Sequence, residues 1–305
     1  MPENVAFKNA VLIGDCVDVM AKLPDNIVSV CITDPPYNYE FIGHKWDHNE
    51  ILRRKEKISS SNSKTLVKNI PYGSGLAGGV RNKRWYERNR ENIIDYRNWC
   101  LSWATELFRI SKPGATIAIF NSTRTIAHIQ IALEDAGFYA RDTLVYRRSS
   151  GIPKGANIAN QMRKRGISNA DAWAGWHSCF RGEWEAICIV QKPLIGNYLD
   201  TFEKYGTGLF NTTTTDGSFQ SNILEGLGRE KLEDFNVHCT VKPLKLMERL
   251  VEMLVPPTPN ALLIDPFAGS GTTLVASKKL GIDFLGIEIV EEYHDIIMKR
   301  LANYA

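Results

Sequence analysis

Two short motifs in this chain carry residue types that suit one kind of chemistry. The first is Asp34-Pro35-Pro36-Tyr37, directly after the apolar run VSVCIT. A carboxylate beside a backbone carbonyl can accept both hydrogens of an exocyclic amine on a nucleobase. Such an amine is a poor nucleophile because its lone pair is delocalised into the ring. Two acceptors draw the nitrogen toward a tetrahedral geometry that frees the pair. Pro35 and Pro36 stiffen the turn and present no N–H group, while Tyr37 offers a flat face on which a base can stack. A rigid strand-ending turn with a buried tyrosine would use the same residues, so this motif alone leaves both readings open.

The second motif, Asp265-Pro-Phe-Ala-Gly-Ser-Gly-Thr-Thr273, follows the apolar run ALLI and opens a helix. Gly269 and Gly271 let backbone approach a ligand closely, and the helix N-terminus offers free N–H donors. Glu288 ends the next strand, 17 residues after Gly271, in position to accept from ribose hydroxyls as in other doubly wound nucleoside-binding folds. The G-K-[ST] ending of a phosphate-binding loop is missing, which speaks against ATP or GTP. A tight packing turn would explain the glycines. Strand, turn, helix, strand and acid together point to a nucleoside cofactor.

The elements that must position these motifs alternate along the chain. Val11–Asp15, Val28–Asp34, Ala115–Phe120, Asp142–Arg147, Ala261–Asp265 and Asp283–Glu288 read as strands. Tyr96–Ile110, Ile126–Phe138 and Pro243–Leu254 have helical spacing, as do the segments after Gly271 and after Val290. This rhythm predicts an α/β fold, a doubly wound, mostly parallel sheet covered on both faces. The polar, Ser/Lys/Asn/Gly-rich stretch 39–95 reads as a basic loop within a first unit, 1–150. The Gly-, Asn-, Thr- and Trp-rich stretch 151–235 reads as a small inserted module that includes the strand Glu185–Lys192. The α/β rhythm returns in 236–305.

With 305 residues, 44% apolar and 23% charged, the composition is that of an ordinary globular protein. No apolar run reaches bilayer length and the N-terminus lacks a signal-peptide pattern, so a cytoplasmic protein without membrane contact is expected. The six cysteines show no C-x-x-C pair or zinc spacing, which predicts reduced thiols and no metal. Net charge is only +3, but between residues 44 and 98 there are 13 Lys and Arg against 6 Asp and Glu, 13 − 6 = +7. Cations presented together suit a phosphate-facing surface, because counterion release scales with their number. A solvated loop would carry the same charge.

The pair DPPY and DPFAGSGTT resembles the S-adenosylmethionine-dependent amino-methyltransferases of DNA, in particular the permuted β class with an N6-adenine type motif. That class places the catalytic motif first, the cofactor motif last and target recognition between, which is the order here. The resemblance extends through GDCVDVM, HCTVKPLKLMERLVEML and FLGIEIVEEYHDIIMKRL. It covers roughly 11–39, 96–154 and 236–301, and implies a Rossmann-like methyltransferase fold. It also implies that Asp34 and the carbonyl of Pro35 hold the amine of a flipped base and that Tyr37 stacks on it. Phe267, Ala268, Gly269 and Gly271 would wrap the methionine part of S-adenosyl-L-methionine, with Asp265 and Thr272 beside it. Glu288 would take the ribose, Asp15 and Cys16 would border the adenine, and Thr240, Lys242 and Pro243 would close the pocket. Cys239 and Tyr146 depart from the residues common in relatives.

The resemblance implies methyl transfer to adenine N6 in double-stranded DNA, within restriction-modification. Cytosine N4 is the alternative, because enzymes of that kind more often carry Ser in place of Asp34. RNA or protein-glutamine methylation and a catalytically silent DNA-binding protein are further alternatives. No cysteine follows a proline, the context of the nucleophile in ring-carbon methylation of cytosine. A second copy of the chain and a cognate restriction nuclease are partners the resemblance admits. Arg81, Lys83, Arg84 and Arg88, interleaved with Trp85, Tyr86 and Tyr96, are candidates to clamp phosphates around the extruded base. Arg163, Lys164 and Arg165, with Trp173, Trp176, His177 and Arg181, are candidates to read the target sequence. Aromatic residues of a small module ordinarily form its core, and both readings stand. Neither His177 nor His238 has a partner spacing that suggests catalysis.

Overall fold

Apolar residues in the central strands point alternately to two covered faces. In β2 (Val28–Thr33) all six residues are buried. Cys31 joins one hydrophobic cluster, while Val30 and Ile32 join the other. In β3 (Ser111–Asn121) Ile117 and Ile119 face the first cluster, Ala118 and Phe120 the second. In β5 (Trp184–Gln191) Cys188 and Val190 oppose Ile187 and Ile189 in the same way. A strand apolar on both sides is stable only inside a sheet covered on both sides.

The computed structural model describes residues 7–37, 83–148, 155–214, 216–228, 230–236, 238 and 241–304, with backbone alone at 83–89 and 92. The remaining strands are β1 (Ala10–Ile13), β4 (Tyr139–Arg147), β6 (Ile223–Leu224), β7 (Leu262–Asp265) and β8 (Asp283–Glu288). All eight form one sheet in the order β1-β8-β7-β2-β3-β5-β4-β6. Pairing is parallel except at β5, which runs antiparallel to both β3 and β4. Helices α1 (Cys16–Met20), α2 (Lys83–Ile110) and α3 (Ile126–Asp135) cover one face. The helix α6 (Leu244–Leu254) covers the other, with α7 (Thr272–Lys279) contributing Ala276. On α6 six apolar side chains are buried, each contributing about 1.5–3 kcal/mol. The short α4 (Ile158–Lys164) and α5 (Tyr198–Tyr205) lie in the middle of the chain, and α8 (Glu291–Asn303) closes it.

The doubly wound, mostly parallel sheet is therefore as predicted, with several differences in detail. The first strand stops at Ile13 because the carboxylate of Asp15 accepts from the amide of Val17, 2.8 Å, and caps α1. The basic stretch is not loop up to residue 95: α2 starts at Lys83 and runs for 28 residues. Its first turns are dense in Arg and Glu, good helix formers, but lack the apolar stripe by which a sequence betrays a helix. Tyr96, expected among the phosphate-facing aromatics, is fully buried.

The strand expected within the inserted module also lies elsewhere. β5 pairs with β3 and β4 inside the main sheet, since only that position covers both of its apolar faces. β6 pairs with β4, so two segments of 151–235 belong to the main sheet. Arg81, Cys239 and Thr240 lie outside the described residues. Among the described residues no helix is long and apolar enough to cross a membrane, and none of the cysteines is in a disulfide.

Candidate active site

The parallel strands end along one edge of the sheet, and most of the chemistry-bearing residues collect there. β2 ends at Thr33, and Asp34-Pro-Pro-Tyr37 continues from its tip. The hydroxyl of Tyr37 donates to Asp34 Oδ1, 2.5 Å. Lys242, just ahead of α6, donates from Nζ to Asp34 Oδ2, 2.5 Å, and to the Tyr37 hydroxyl, 2.9 Å. Its ammonium also lies over the rings of Phe120 and Tyr37, 5.0 and 5.2 Å from the centroids. Burial pushes the Lys242 amine down, but Asp34 and then Glu185 outweigh it, and the net direction is up. Burial, followed by the charge of Asp34, pushes the Tyr37 phenol well up. The pair is thus an ammonium and a neutral phenol, both donating to one carboxylate.

The turn is held from below. Tyr96 on α2 donates to the carbonyl of Pro36, 3.3 Å, and accepts from the side chain of Asn121 at the end of β3, 2.8 Å. Its ring stacks on Trp99, which with Trp103 packs around Phe267, the two indoles 5.6 and 5.5 Å from that ring. One aromatic cluster therefore supports both motifs.

The glycine turn lies between the ends of β7 and β8. Asp265, buried, accepts from the Thr33 hydroxyl, 2.6 Å, and from the Phe267 amide, 3.1 Å. Burial, only partly offset by hydrogen bonds from Thr273, Thr33 and Phe267, raises its carboxyl to about 6. Glu288 accepts from the amide of Gly269, 2.7 Å, and from that of Val290, 2.9 Å. Burial raises it as well, with the same kind of offset. Gly269 and Gly271 have φ of +56° and +76°. A Cβ on Gly269 would come within 3.1 Å of His238, and one on Gly271 within 2.9 Å of Ile297. The bare backbone forms a cradle that side chains cannot share. Together with the carboxylate of Glu288, this fits a nucleoside whose ribose needs acceptors.

Several residues of the site are not singled out by motif. Arg300 on α8 is buried; it donates to the carbonyl of Ser270, 2.8 Å, to the hydroxyl of Thr272, 2.9 Å, and to Glu233, 2.9 Å. It fixes the glycine turn from behind, and Thr272 answers to it. His238 packs edge-on against Tyr293, centroids 4.6 Å apart, beside Gly269. Thr33 and Asn121 are polar residues buried at strand ends. Glu185 is the second residue of β5, which brings it to the same edge because that strand is antiparallel.

The remaining candidates fall as follows. Asp15 and Cys16 stand at the end of β1, which pairs with β8 so that Ile13 lies opposite Glu288. Cys16 is buried, and burial, then Asp15, pushes its thiol up to about 12. Ala268 is buried and Pro243 caps α6. Tyr146 is buried, donating to the carbonyl of Leu227, 2.9 Å. Lys83, Arg84 and Arg88 lie on the first turns of α2. Arg163, Lys164 and Arg165 are exposed at the end of α4, Arg163 paired with Asp171 at 2.6 Å. In the same segment Trp173 and Trp176 pack on each other, centroids 5.8 Å apart, and Trp176 is 62% exposed. Phe180 is 98% exposed. These aromatics are not the core of a module.

Comparison with known proteins agrees with this geometry. A family model described as DNA methylase matches residues 28–299. The type II methyltransferase M.HindIII of Haemophilus influenzae is 31% identical over 302 residues, covering 94% of this chain and 93% of that protein. The cytosine-N4-specific PvuII DNA methyltransferase shares the fold, with a TM-score of 0.59 at 16% identity over 95% of this chain and 85% of the other. M1.HpyAVI, solved as its S-adenosylmethionine complex, shares it with a TM-score of 0.51 at 20% identity over 95% and 98%. With a strand-end Asp-Pro-Pro-Tyr turn and a glycine turn on one sheet edge, this chain belongs to the DNA methylase family, and its reaction is S-adenosylmethionine-dependent methylation of DNA.

Proposed function

We propose that this enzyme methylates the N6 amine of an adenine flipped out of double-stranded DNA, and that it belongs to the permuted β class. The observation that carries the reading is the carboxylate of Asp34 at the tip of β2, at the same sheet edge as the glycine cradle. Asp34 and the carbonyl of Pro35 accept the two amine hydrogens, and the nitrogen lone pair is freed. Tyr37 leaves its hydrogen bond to Asp34 and stacks on the base. When bound, S-adenosylmethionine supplies a methyl group that passes to nitrogen, while the electrons of the C–S bond remain on sulfur. The nitrogen then carries the positive charge and returns to neutrality by releasing one hydrogen as a proton toward Asp34 and solvent. The early Asp34–Tyr37 and late Asp265–Thr273 support the β class. Aspartate at 34, where N4-cytosine enzymes more often carry serine, supports adenine.

Residues 155–183 are the proposed target-recognition face, and the cytoplasm the proposed location. The segment is mostly exposed, with four cations (Arg163, Lys164, Arg165, Arg181) against two acids (Asp171, Glu183), 4 − 2 = +2. It follows β4 and leads into β5 at the edge that bears Asp34. Bare indole and phenyl faces beside cations suit stacking against bases and contact with phosphates. Replacing Lys164 and Arg165 together by Ala is expected to weaken DNA binding and to lower the salt slope by about 2 if both meet phosphates. An unchanged slope would move the phosphate contacts elsewhere.

The test of the reaction is to incubate the protein with unmethylated duplex DNA and S-adenosylmethionine, digest to nucleosides and analyse by mass spectrometry. N6-methyladenine is the expected product. N4-methylcytosine alone would overturn the base assignment and keep the mechanism.

A further inference from the structure

β5 brings a carboxylate to the active edge that touches neither motif directly. Glu185 is largely buried, its side chain 17% exposed. Oε1 accepts from Arg148 Nη1, 3.2 Å. Oε2 lies 3.3 Å from Lys242 Nζ, off the line of a hydrogen bond. The ammonium of Lys242 has three hydrogens; two are directed at Asp34 and Tyr37. Drawing a carboxylate out of water costs free energy unless a cation compensates it, and here two cations meet it: Arg148 at Oε1 and, near Oε2, the ammonium that holds Asp34.

We propose that Glu185 is a positioning residue for methyl transfer, holding the ammonium of Lys242 against Asp34. The inference rests on the reading that Asp34 accepts the hydrogens of the target amine. With Lys242 alone, the pair Asp34–Lys242 would sum to zero, and the ammonium would cancel much of the pull of the carboxylate on the amine. Glu185 draws on the same ammonium, and with Arg148 on its other oxygen the four groups sum to −1 + 1 − 1 + 1 = 0. Shared between two carboxylates, the ammonium offsets less of the pull of Asp34 on the nitrogen as it turns cationic. The groups packed on Lys242 are Asp34 and Tyr37 from the β2 tip, Phe120 from β3 and Glu185 from β5, with Arg148 behind Glu185.

The test uses the full chain with S-adenosylmethionine and duplex DNA, and compares single-turnover rates of wild type, Glu185→Gln, Lys242→Met and the double variant. Glu185→Gln is expected to slow methyl transfer by roughly 10- to 100-fold, the range for loosening one charge-assisted contact at a reacting group. Dissociation constants for cofactor and DNA should stay at their wild-type values. The double variant should be no slower than Lys242→Met, because Glu185 acts through that lysine. A wild-type rate for Glu185→Gln, or losses that multiply in the double variant, would overturn the assignment. Should Glu185→Gln fail to fold, Glu185→Asp carries the test: it keeps the charge but draws it back from Lys242. A reduced rate with unchanged binding supports the proposal, and a wild-type rate sinks it. Asp34→Ala in the same assay separates the two levels. If it stays active, the amine-acceptor reading itself fails; if it is dead while Glu185→Gln is normal, only the positioning role fails.

Discussion

Asp34 and Asp265 close two neighbouring parallel strands, β2 and β7, and lead into a proline at the next position. Their surroundings make them opposites. Asp34 is part-exposed and held by an ammonium, with a phenol on its other oxygen. Asp265 is buried and held only by hydroxyls and an amide, so that burial drives its carboxyl up to about 6. One strand end presents a charge-compensated carboxylate to the site. The other spends its carboxylate on joining Thr33 to the first residues of the glycine turn. A strand-end aspartate is therefore not a role in itself; the role is set by whether a cation or only neutral donors meet it.

The contrast can be tested from its largest consequence downward. Removing the carboxylate of Asp34 should abolish methylation, by at least about 10²–10⁴-fold, the usual contribution of a positioned acid–base group. Cofactor affinity of the Asp34→Ala variant, followed by calorimetry, should persist. Full activity would remove Asp34 from the chemistry.

The cofactor side should respond in the reverse manner. Gly271→Ala places a Cβ 2.9 Å from Ile297 at a φ of +76°, and the left-handed backbone alone costs roughly 1–2 kcal/mol. A lower melting temperature and weakened cofactor binding are expected. Unaltered affinity would show that the cradle does not hold the ligand.

The smallest effect concerns pH. The Asp265 carboxyl is raised in the folded chain relative to 3.8. The stability it contributes is therefore fully present below about pH 4 and lost as pH rises through about 6. Asp265→Asn, which has nothing to ionise, should gain on wild type across that window by on the order of 1–3 kcal/mol. Denaturant midpoints at pH 4 and pH 7 measure the gain. A constant difference between the two proteins would mean that Asp265 ionises without penalty.

Much of this was legible in the sequence because it depends on local pattern. Apolar runs of four to eight residues, glycines at two fixed positions and carboxylates at run ends suffice to predict the sheet, the cradle and Asp34. Those features are short-range: a strand needs its own alternation, and a turn needs its own glycines. The first turns of α2 escaped, since the residues from Lys83 to Arg90 carry no apolar stripe at helical spacing.

The placement of β5 escaped for a different reason. Four other strand runs end on a carboxylate or lead into one, as in VLIGD, VSVCITD, ALLID and DFLGIE, whereas EAICIVQK begins with one. Reversal of a single strand puts Glu185 at the same edge as the rest, and the inverted order of the acid was its only trace. Sequence alone determined which residues could accept, cradle or stack. Only the tertiary structure decided that Lys242 meets Asp34 across 208 positions and that Arg300 braces the glycine turn. Such contacts depend on strand order and direction, which are settled by covering both faces of one sheet rather than by any residue's neighbours along the chain.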